Sequence, residues 1–259
     1  MAQQMSAASG ALPLLWAAGE SSNGCVRHHN EDNFCCIAAP SGYLFAAVAD
    51  GVGGHSGGEI ASFLCCHRLL LDWKELVRSG EELSDPRMGR FLFDSIVKAN
   101  RDVVRTNIEQ RRPLPMCTTV AAAVFTPQMV LAAHVGDSRI YCVRGDAIRQ
   151  LTVDHTLRNE LNELGITPAE SKAPPQNIIS QAVGLKVRLK PEVHSYFRAP
   201  DDRCLICSDG LFSCLSDQEI RETVLSSATP REATDRLIHA TLRRGAADNV
   251  TVISIFPKP

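Results

Sequence analysis

No charge of either sign dominates the 259 residues, whose formal net charge is -2. The chain therefore carries no electrostatic footprint for nucleic acid or an anionic membrane. No apolar run approaches the roughly 18 residues needed to cross a bilayer. Ala11-Leu-Pro-Leu-Leu-Trp-Ala-Ala18 resembles a weak signal peptide, but no Lys or Arg precedes Arg27 and the positive leading region is missing. Internal repeats, low-complexity tracts and linkers are absent too. Cysteine is plentiful, at ten residues, yet a disulfide framework is lacking. Cys35-Cys36 and Cys65-Cys66 are adjacent pairs and the others sit in apolar runs, where a thiol is a small hydrophobe. Cys204-Leu-Ile-Cys207 spells a CxxC, but on a strand positions three apart face opposite ways, and no second pair completes a zinc set. Free thiols imply a reducing compartment and a cytoplasmic location. What remains is an ordinary globular composition, 44% hydrophobic and 22% charged, long enough for a sizeable core.

The chain is organised around Ala49-Asp-Gly-Val-Gly-Gly-His-Ser-Gly-Gly-Glu-Ile-Ala-Ser62. The apolar run Tyr43–Ala49 reads as a buried strand that delivers one carboxylate, Asp50, into a glycine loop. Ser56-x-x-Glu59 then spells a capping box. An acid so placed either caps a strand-to-helix turn or holds a hard cation with carbonyl and water oxygens.

Residues 1–10 read as a disordered leader and 11–259 as one domain. Strands are expected at Leu14–Ala18, Phe34–Ala38 and Tyr43–Ala49. A long helix follows from Glu59 to Arg78, with Ile60, Phe63, Leu64, Leu70, Leu71 and Trp73 as its apolar set. Asp85-Pro86 marks the cap and first position of a second helix that stops at Arg111-Arg112-Pro113, and the two should pack antiparallel. Thr118–Phe125, Met129–Val135, Arg139–Val143 and Ala147–Leu151 read as an antiparallel meander. Residues 156–185, with three prolines, read as an irregular flap. Val193–Phe197 and Cys204–Cys207 resume the strands. Helices capped by Ser216-x-x-Glu219 and Thr229-Pro-x-Glu232 follow, and Asn249–Phe256 is a closing strand. Segregated strand runs and helix pairs argue an α+β fold with helices on antiparallel sheets.

Asp32, Asp50, Asp137, Asp209 and Asp248 are the acids to compare. Four of the five lie at the edge of a strongly apolar strand beside Gly or Asn. If those strands share a sheet end, the acids converge, and two carboxylates about 4 Å apart repel by roughly 4 kcal/mol at an effective dielectric of 20. Spacing alone leaves two readings: ordinary turn residues, or a polynuclear Mg²⁺ or Mn²⁺ site with oxygen ligands.

The motifs carrying these acids, taken together, resemble the metal-dependent Ser/Thr protein phosphatases of type 2C (PPM), in their short bacterial form. They are Gly24-x-x-Arg27-x-x-Asn30-Glu31-Asp32, the Asp50 loop, Met116-Cys-Thr-Thr119, Val135-Gly-Asp-Ser-Arg139, Leu151-Thr-Val-Asp-His155, Cys207-Ser-Asp-Gly-Leu211 and Ala247-Asp-Asn-Val-Thr251. Each is weak alone; seven in the family's order are specific.

The resemblance implies an antiparallel β-sandwich flanked on both faces by pairs of antiparallel helices (αββα). It further implies hydrolysis of phosphoserine and phosphothreonine with two Mn²⁺ or Mg²⁺ ions and a third, weaker one. Asp50 would bridge two metals with the Gly51 carbonyl on one; Asp209 and Asp248 would hold the other, and Asp137 would serve the third. Asp32 and Glu31 would orient water, Arg27 would clamp the phosphate, and a metal-bridging water would attack in line. His55 is the candidate proton donor to the leaving alkoxide or, equally, a solvent-facing loop residue. The implied partners are phosphoprotein substrates and a cognate Ser/Thr kinase, with no nucleic acid or membrane, and the protein would be a monomer. A phosphoprotein-binding module that has lost its chemistry would be expected to lack Asp50, Asp209 or Asp248; all three are present. Cys117 departs from the family, standing where glycine is usual.

Overall fold

The computed structural model describes residues 14–40, 42–52, 57–166, 174–175, 178–189 and 191–258. The expected leader 1–10 lies outside the described residues. Two antiparallel sheets stack face to face. One runs in the order β1 (Leu15–Ser22), β11 (Val250–Pro257), β10 (Arg203–Cys207), β7 (Arg139–Arg144) and β8 (Ala147–Gln150). The other runs β2 (Asp32–Ala38), β3 (Leu44–Val52), β5 (Val120–Phe125), β6 (Met129–Val135) and β9 (Glu192–Phe197), with the short β4 (Cys117–Thr118) paired to the end of β3. Leu15–Ala18, within the stretch that only weakly resembles a signal peptide, pairs with β11 from Leu15–Pro257 to Ala18–Ser254.

The strands read as continuous apolar runs because they are covered on both faces. On β3, Phe45, Ala47 and Ala49 face one helix layer, and Leu44, Ala46 and Val48 face the opposing sheet. On β10, Cys204 and Ile206 point between the sheets while Leu205 and Cys207 point to the other helix layer. The CxxC thus splits across two cores, and all ten cysteines are free thiols.

Helices α1 (Gly58–Arg78) and α2 (Asp85–Glu109) cover the β3 sheet. Arg68 reaches Asp102 at 2.7 Å and Lys98 reaches Asp72 at 3.1 Å, pairings that require the helices to run antiparallel. The buried face of α1 differs from the expected one. Ala61, Cys65, Cys66, Leu69 and Trp73 are buried, whereas Phe63 and Leu71 are exposed. Small residues line this face because the sheet beneath is alanine-rich and the backbones approach closely. Helix α2 begins one residue early, with Ser84 rather than Asp85 at the cap.

Helices α5 (Asp217–Leu225) and α6 (Pro230–Arg243) cover the other sheet. They too are antiparallel, since Arg244 binds Glu219 while Arg236 binds Ser226 and Ser227. Ser216 completes its capping box. Thr229 caps Glu232 N–H, but the Glu232 carboxylate accepts from Ala228 instead. The expected meander is two hairpins in different sheets, because the chain crosses between layers at Gly136–Ser138. The expected flap is partly regular: α3 (Leu157–Glu163) opens it, capped by Thr156. Residues 167–173 and 176–177 lie outside the described residues.

Candidate metal centre

Antiparallel pairing brings the acid-bearing strand ends together. Strands β2, β7 and β11 begin at one end of the sandwich, where β3, β6 and β10 finish. Asp32 opens β2 directly opposite Asp50 of β3. Asp137 occupies the crossing from β6 to β7. Asp209 follows β10 as the first residue of the short α4 (Asp209–Phe212), and Asp248 precedes β11.

The loop from Asn23 to Glu31 carries Arg27 into this end, and Asn249 fastens it. Its Oδ1 accepts the Glu31 N–H at 2.8 Å, and its Nδ2 donates to the carbonyls of Asn23 (3.1 Å) and His29 (3.0 Å). Arg27 Nη2 then donates to Asp248 Oδ2 at 2.8 Å. Two glycines permit the closeness. A Cβ on Gly24, which sits at φ +74°, would lie 2.1 Å from the Asp248 carbonyl oxygen. A Cβ on Gly51 would lie 2.4 Å from the Gly58 carbonyl oxygen and 2.6 Å from that of Glu31.

The acids disturb one another. Asp32 Oδ2 accepts from Ser208 Oγ at 2.8 Å and Thr251 Oγ1 at 2.6 Å, while its Oδ1 is buried without a partner. Burial pushes the Asp32 carboxyl up to about 6 against those two bonds, and Asp209 and Asp248 add to the rise. Burial, then the charges of Asp32, Asp209, Asp137 and Asp248, raise Asp50 well above the carboxylate range. Asp137 is pushed up to about 7 by burial and then by Asp209 and Asp154. Asp209 is raised by burial and Asp248, and Glu31 by burial and Glu59. Crowded carboxyls that raise one another's pKa, one with an orphaned buried oxygen, suit hard divalent cations, which take several oxygen ligands at once.

Of the residues singled out from sequence, Asp32, Glu31, Asp50, Gly51, Asp137, Asp209, Asp248 and Arg27 thus share one end of the sandwich. His55 lies outside the described residues, as does Ser56 of the expected capping box. Glu59 behaves as a cap: its carboxylate accepts the Gly57 N–H at 3.1 Å. The supporting hydroxyls were missed. Thr119 Oγ1 accepts the Asp50 N–H at 3.1 Å and contacts Ser138 Oγ at 2.6 Å; Thr118 Oγ1 donates to the Asp50 carbonyl at 2.8 Å. Each stands next to an acid or inside a motif, and a hydroxyl adjoining a buried carboxylate was the available signal. Cys117, at the glycine position, is buried and donates to the Val52 carbonyl, Sγ to O 3.4 Å; burial raises its thiol to about 11, so it packs rather than reacts.

Beside the acids opens a cleft of about 650 Å³, with Asp137, Asp209, Phe212, Arg158 and Asn159 on its walls. The Arg139 guanidinium lies 3.6 Å from the centre of the Phe212 ring and is held by Asp154 at 2.6 Å. The far end of the flap is tied down: Val183 bridges Thr118, and the Gly184 N–H donates to Asn100 Oδ1 at 2.8 Å.

The protein phosphatase 2C family profile matches residues 25–249. The chain is 32% identical over 243 residues to the serine/threonine phosphatase stp of Listeria innocua, covering 93% of this chain and 95% of that protein. Its fold is similar to that of the serine/threonine phosphatase Stp1 from Staphylococcus aureus, with TM-score 0.84 and 27% identity over 98% of this chain and 100% of that one. It is also similar to the catalytic domain of the serine/threonine protein phosphatase PstP, solved in complex with 2 manganese ions, with TM-score 0.76 and 30% identity over 93% and 97% of the two chains. With the family profile spanning most of the chain and the αββα sandwich carrying its acids at one end, the chain belongs to the protein phosphatase 2C family.

Proposed function

We propose that the chain hydrolyses phosphoserine and phosphothreonine in phosphoproteins with the help of Mn²⁺ or Mg²⁺ held by the acid cluster. One observation carries the reading: Asp32 and Asp137, both buried, and Asp50 and Asp209, both half-buried, meet at one end of the sandwich, Asp32 directly opposite Asp50, with burial and one another's charge raising their carboxyls. Asp50, the Gly51 carbonyl, Asp209 and Asp248 would hold two metals, and Asp137 a third, weaker one. When bound, divalent metal supplies Lewis acidity, lowering the pKa of water and offsetting phosphoryl charge.

The chain's own groups do the rest. Arg27, half-exposed and joined to Asp248 by one Nη2 hydrogen bond, can turn its guanidinium from carboxylate to phosphate, which its fork can bind with two parallel N–H bonds. Asp32 and Glu31 accept hydrogen bonds from attacking water and fix its direction; Ser208 and Thr251 hold Asp32 for that task. His55 is assigned proton delivery to the departing alkoxide, the job its intrinsic pKa near 6.5 suits. The cleft beside Asp137 and Asp209 would receive the peptide flanking the phosphoresidue.

We read residues 11–259 as one domain, working as a monomer in the cytoplasm and countering a Ser/Thr kinase. Ten free thiols support the reducing compartment, and no helix among the described residues is long and apolar enough to cross a membrane. The test is hydrolysis of an aryl phosphate and of a phosphothreonine peptide with Mn²⁺, with Mg²⁺ and with excess chelator. Turnover that needs metal and disappears in Asp209→Asn supports the reading; folded protein inert with every metal would overturn it.

A further inference from the structure

Behind the Asp137 turn lies a second polar cluster to which the phosphatase chemistry gives no task. His134 of β6 stands opposite Glu192 of β9 in the sheet register. His155, from the loop after β8, stacks on His134 with ring centres 4.5 Å apart. One ligand-capable atom from each of His134, His155 and Glu192 lies within 4.8 Å of the other two. His134 Nδ1 and His155 Nε2 are both buried and unpartnered, in side chains only 1% and 7% exposed. A buried polar atom left unpaired is costly, and this fold carries one on each of two stacked rings.

Hydrogen bonding fixes the tautomers. His134 Nε2 lies 2.6 Å from the Val153 carbonyl, which can only accept, so the proton is on Nε2 and Nδ1 presents its lone pair. A ligand imidazole whose other N–H is held by a carbonyl is the usual arrangement at a metal. Burial and the neighbouring His155 lower the His134 pKa to about 4, so that lone pair is free at neutral pH. His155 Nδ1 accepts the Gly136 N–H at 3.2 Å, which puts the proton on Nε2, facing Glu192 Oε1 at 3.5 Å. Ligation through Nε2 moves that proton to Nδ1 and gives up the Gly136 bond. His155 keeps its backbone ties, N–H to the Gly136 carbonyl and carbonyl to the Ser180 N–H, both 2.9 Å. Glu192 is half-exposed and can swing to close the set, drawing on His194, whose Nε2 is 3.2 Å from its Oε2.

We propose that His134 Nδ1, His155 Nε2 and the Glu192 carboxylate form an accessory site for one transition-metal dication of the zinc type, separate from the acid cluster. Two imidazole nitrogens and one carboxylate with an open position suit Zn²⁺ or Co²⁺, while Mg²⁺ demands oxygen ligands and ignores the site. The sharing of Gly136 between His155 and the Asp137 turn means that occupancy loosens one tether of that turn.

The test keeps the protein saturated with Mg²⁺, to occupy the carboxylate centre, and titrates it with Co²⁺ and then Zn²⁺. The expected result is one equivalent of Co²⁺ with the intense visible bands of a four-coordinate nitrogen–oxygen site, bleached stoichiometrically by Zn²⁺. In Glu192→Gln, shown to be folded by circular dichroism, affinity should fall about tenfold or more; in Asp209→Asn it should be unchanged. Weak six-coordinate bands alone, bands that persist at full affinity in Glu192→Gln, or bands that vanish in Asp209→Asn would each overturn the proposal.

Discussion

Aspartates are taken out of solvent in this molecule under two opposite terms. Asp202, only 1% exposed, accepts from Arg144 Nε and Nη2, both at 2.7 Å, and from the Ala199 N–H at 2.8 Å. Asp72, between α1 and α2, accepts from Ser95 Oγ at 3.0 Å and Lys98 Nζ at 3.1 Å, with Arg68 at 3.6 Å. At the end of the sandwich, by contrast, Asp32, Asp50, Asp137 and Asp209 face one another, and Arg27 is bonded to Asp248 at the rim. Where the fold needs a buried carboxylate for itself, it supplies the cation. Where it does not, a ligand is expected to supply it.

Removing an acid from each region should therefore have opposite signs. The largest effect belongs to Asp209→Asn. If Asp209 holds metal as proposed, its loss removes several kcal/mol of transition-state charge stabilisation, and metal-supported turnover should fall about a thousandfold or more. In excess chelator the same variant should melt higher than the parent, because one repelling charge is gone. Steady-state kinetics and thermal melts with and without metal check both halves. A chelated variant less stable than the parent would mean that Asp209 is held for structure.

Asp202→Ala is the mirror experiment. It deprives Arg144 and the Ala199 N–H of their acceptor, at a cost of about 2–3 kcal/mol, read as a shift of the urea midpoint at constant slope. Activity should stay within about twofold of the parent. Loss of activity without loss of stability would erase the division between the two regions.

Metal removal adds a pH dependence whose sign is fixed by the raised pKa values. Asp32 and Asp137 titrate near 6 and 7 when folded, against about 3.9 in an unfolded chain. Their contribution to stability is complete below about pH 4 and is lost as pH rises through 6 and 7. Chelated protein should therefore lose on the order of 4 kcal/mol between pH 5 and 8, nearly all of it below pH 7. The metal-saturated protein should not, so the gap between the two melting curves widens with pH. A gap of constant width would show that these acids titrate normally.

The sequence made the sandwich legible because strands buried on two faces spell plain apolar runs, as Phe45 to Ala49 and Leu205 to Cys207 do. It made the acids legible because four of the five border such a run, at its start or at its end. The crossing at Gly136 was hidden, since a tight connection between sheets spells the same as a hairpin turn. The buried face of α1 was hidden because close packing on alanine selects Ala61 and Cys65 over the larger Phe63 and Leu71, against the hydrophobicity ranking. Asn249 and Thr251 stood inside a recognised motif, but their work is done across more than two hundred residues of chain, on Glu31 and Asp32. Local pattern carries no trace of such a partner.

The smallest effect expected is at Asp72. Its partners Lys98 and Arg68 are partly exposed, so solvent and salt screen the attraction. Asp72→Asn keeps an acceptor for Ser95 Oγ but gives up the charge, and should cost about 1 kcal/mol in low salt. Raising the ionic strength should shrink that difference, because only the parent has a pair to screen. Chemical denaturation by urea, which adds no ions, at low and high salt measures it. A cost that stays the same in both would locate Asp72's role in the Ser95 hydrogen bond and the packing between α1 and α2, and would leave Asp202 as the clearer case of an acid neutralised by the fold itself.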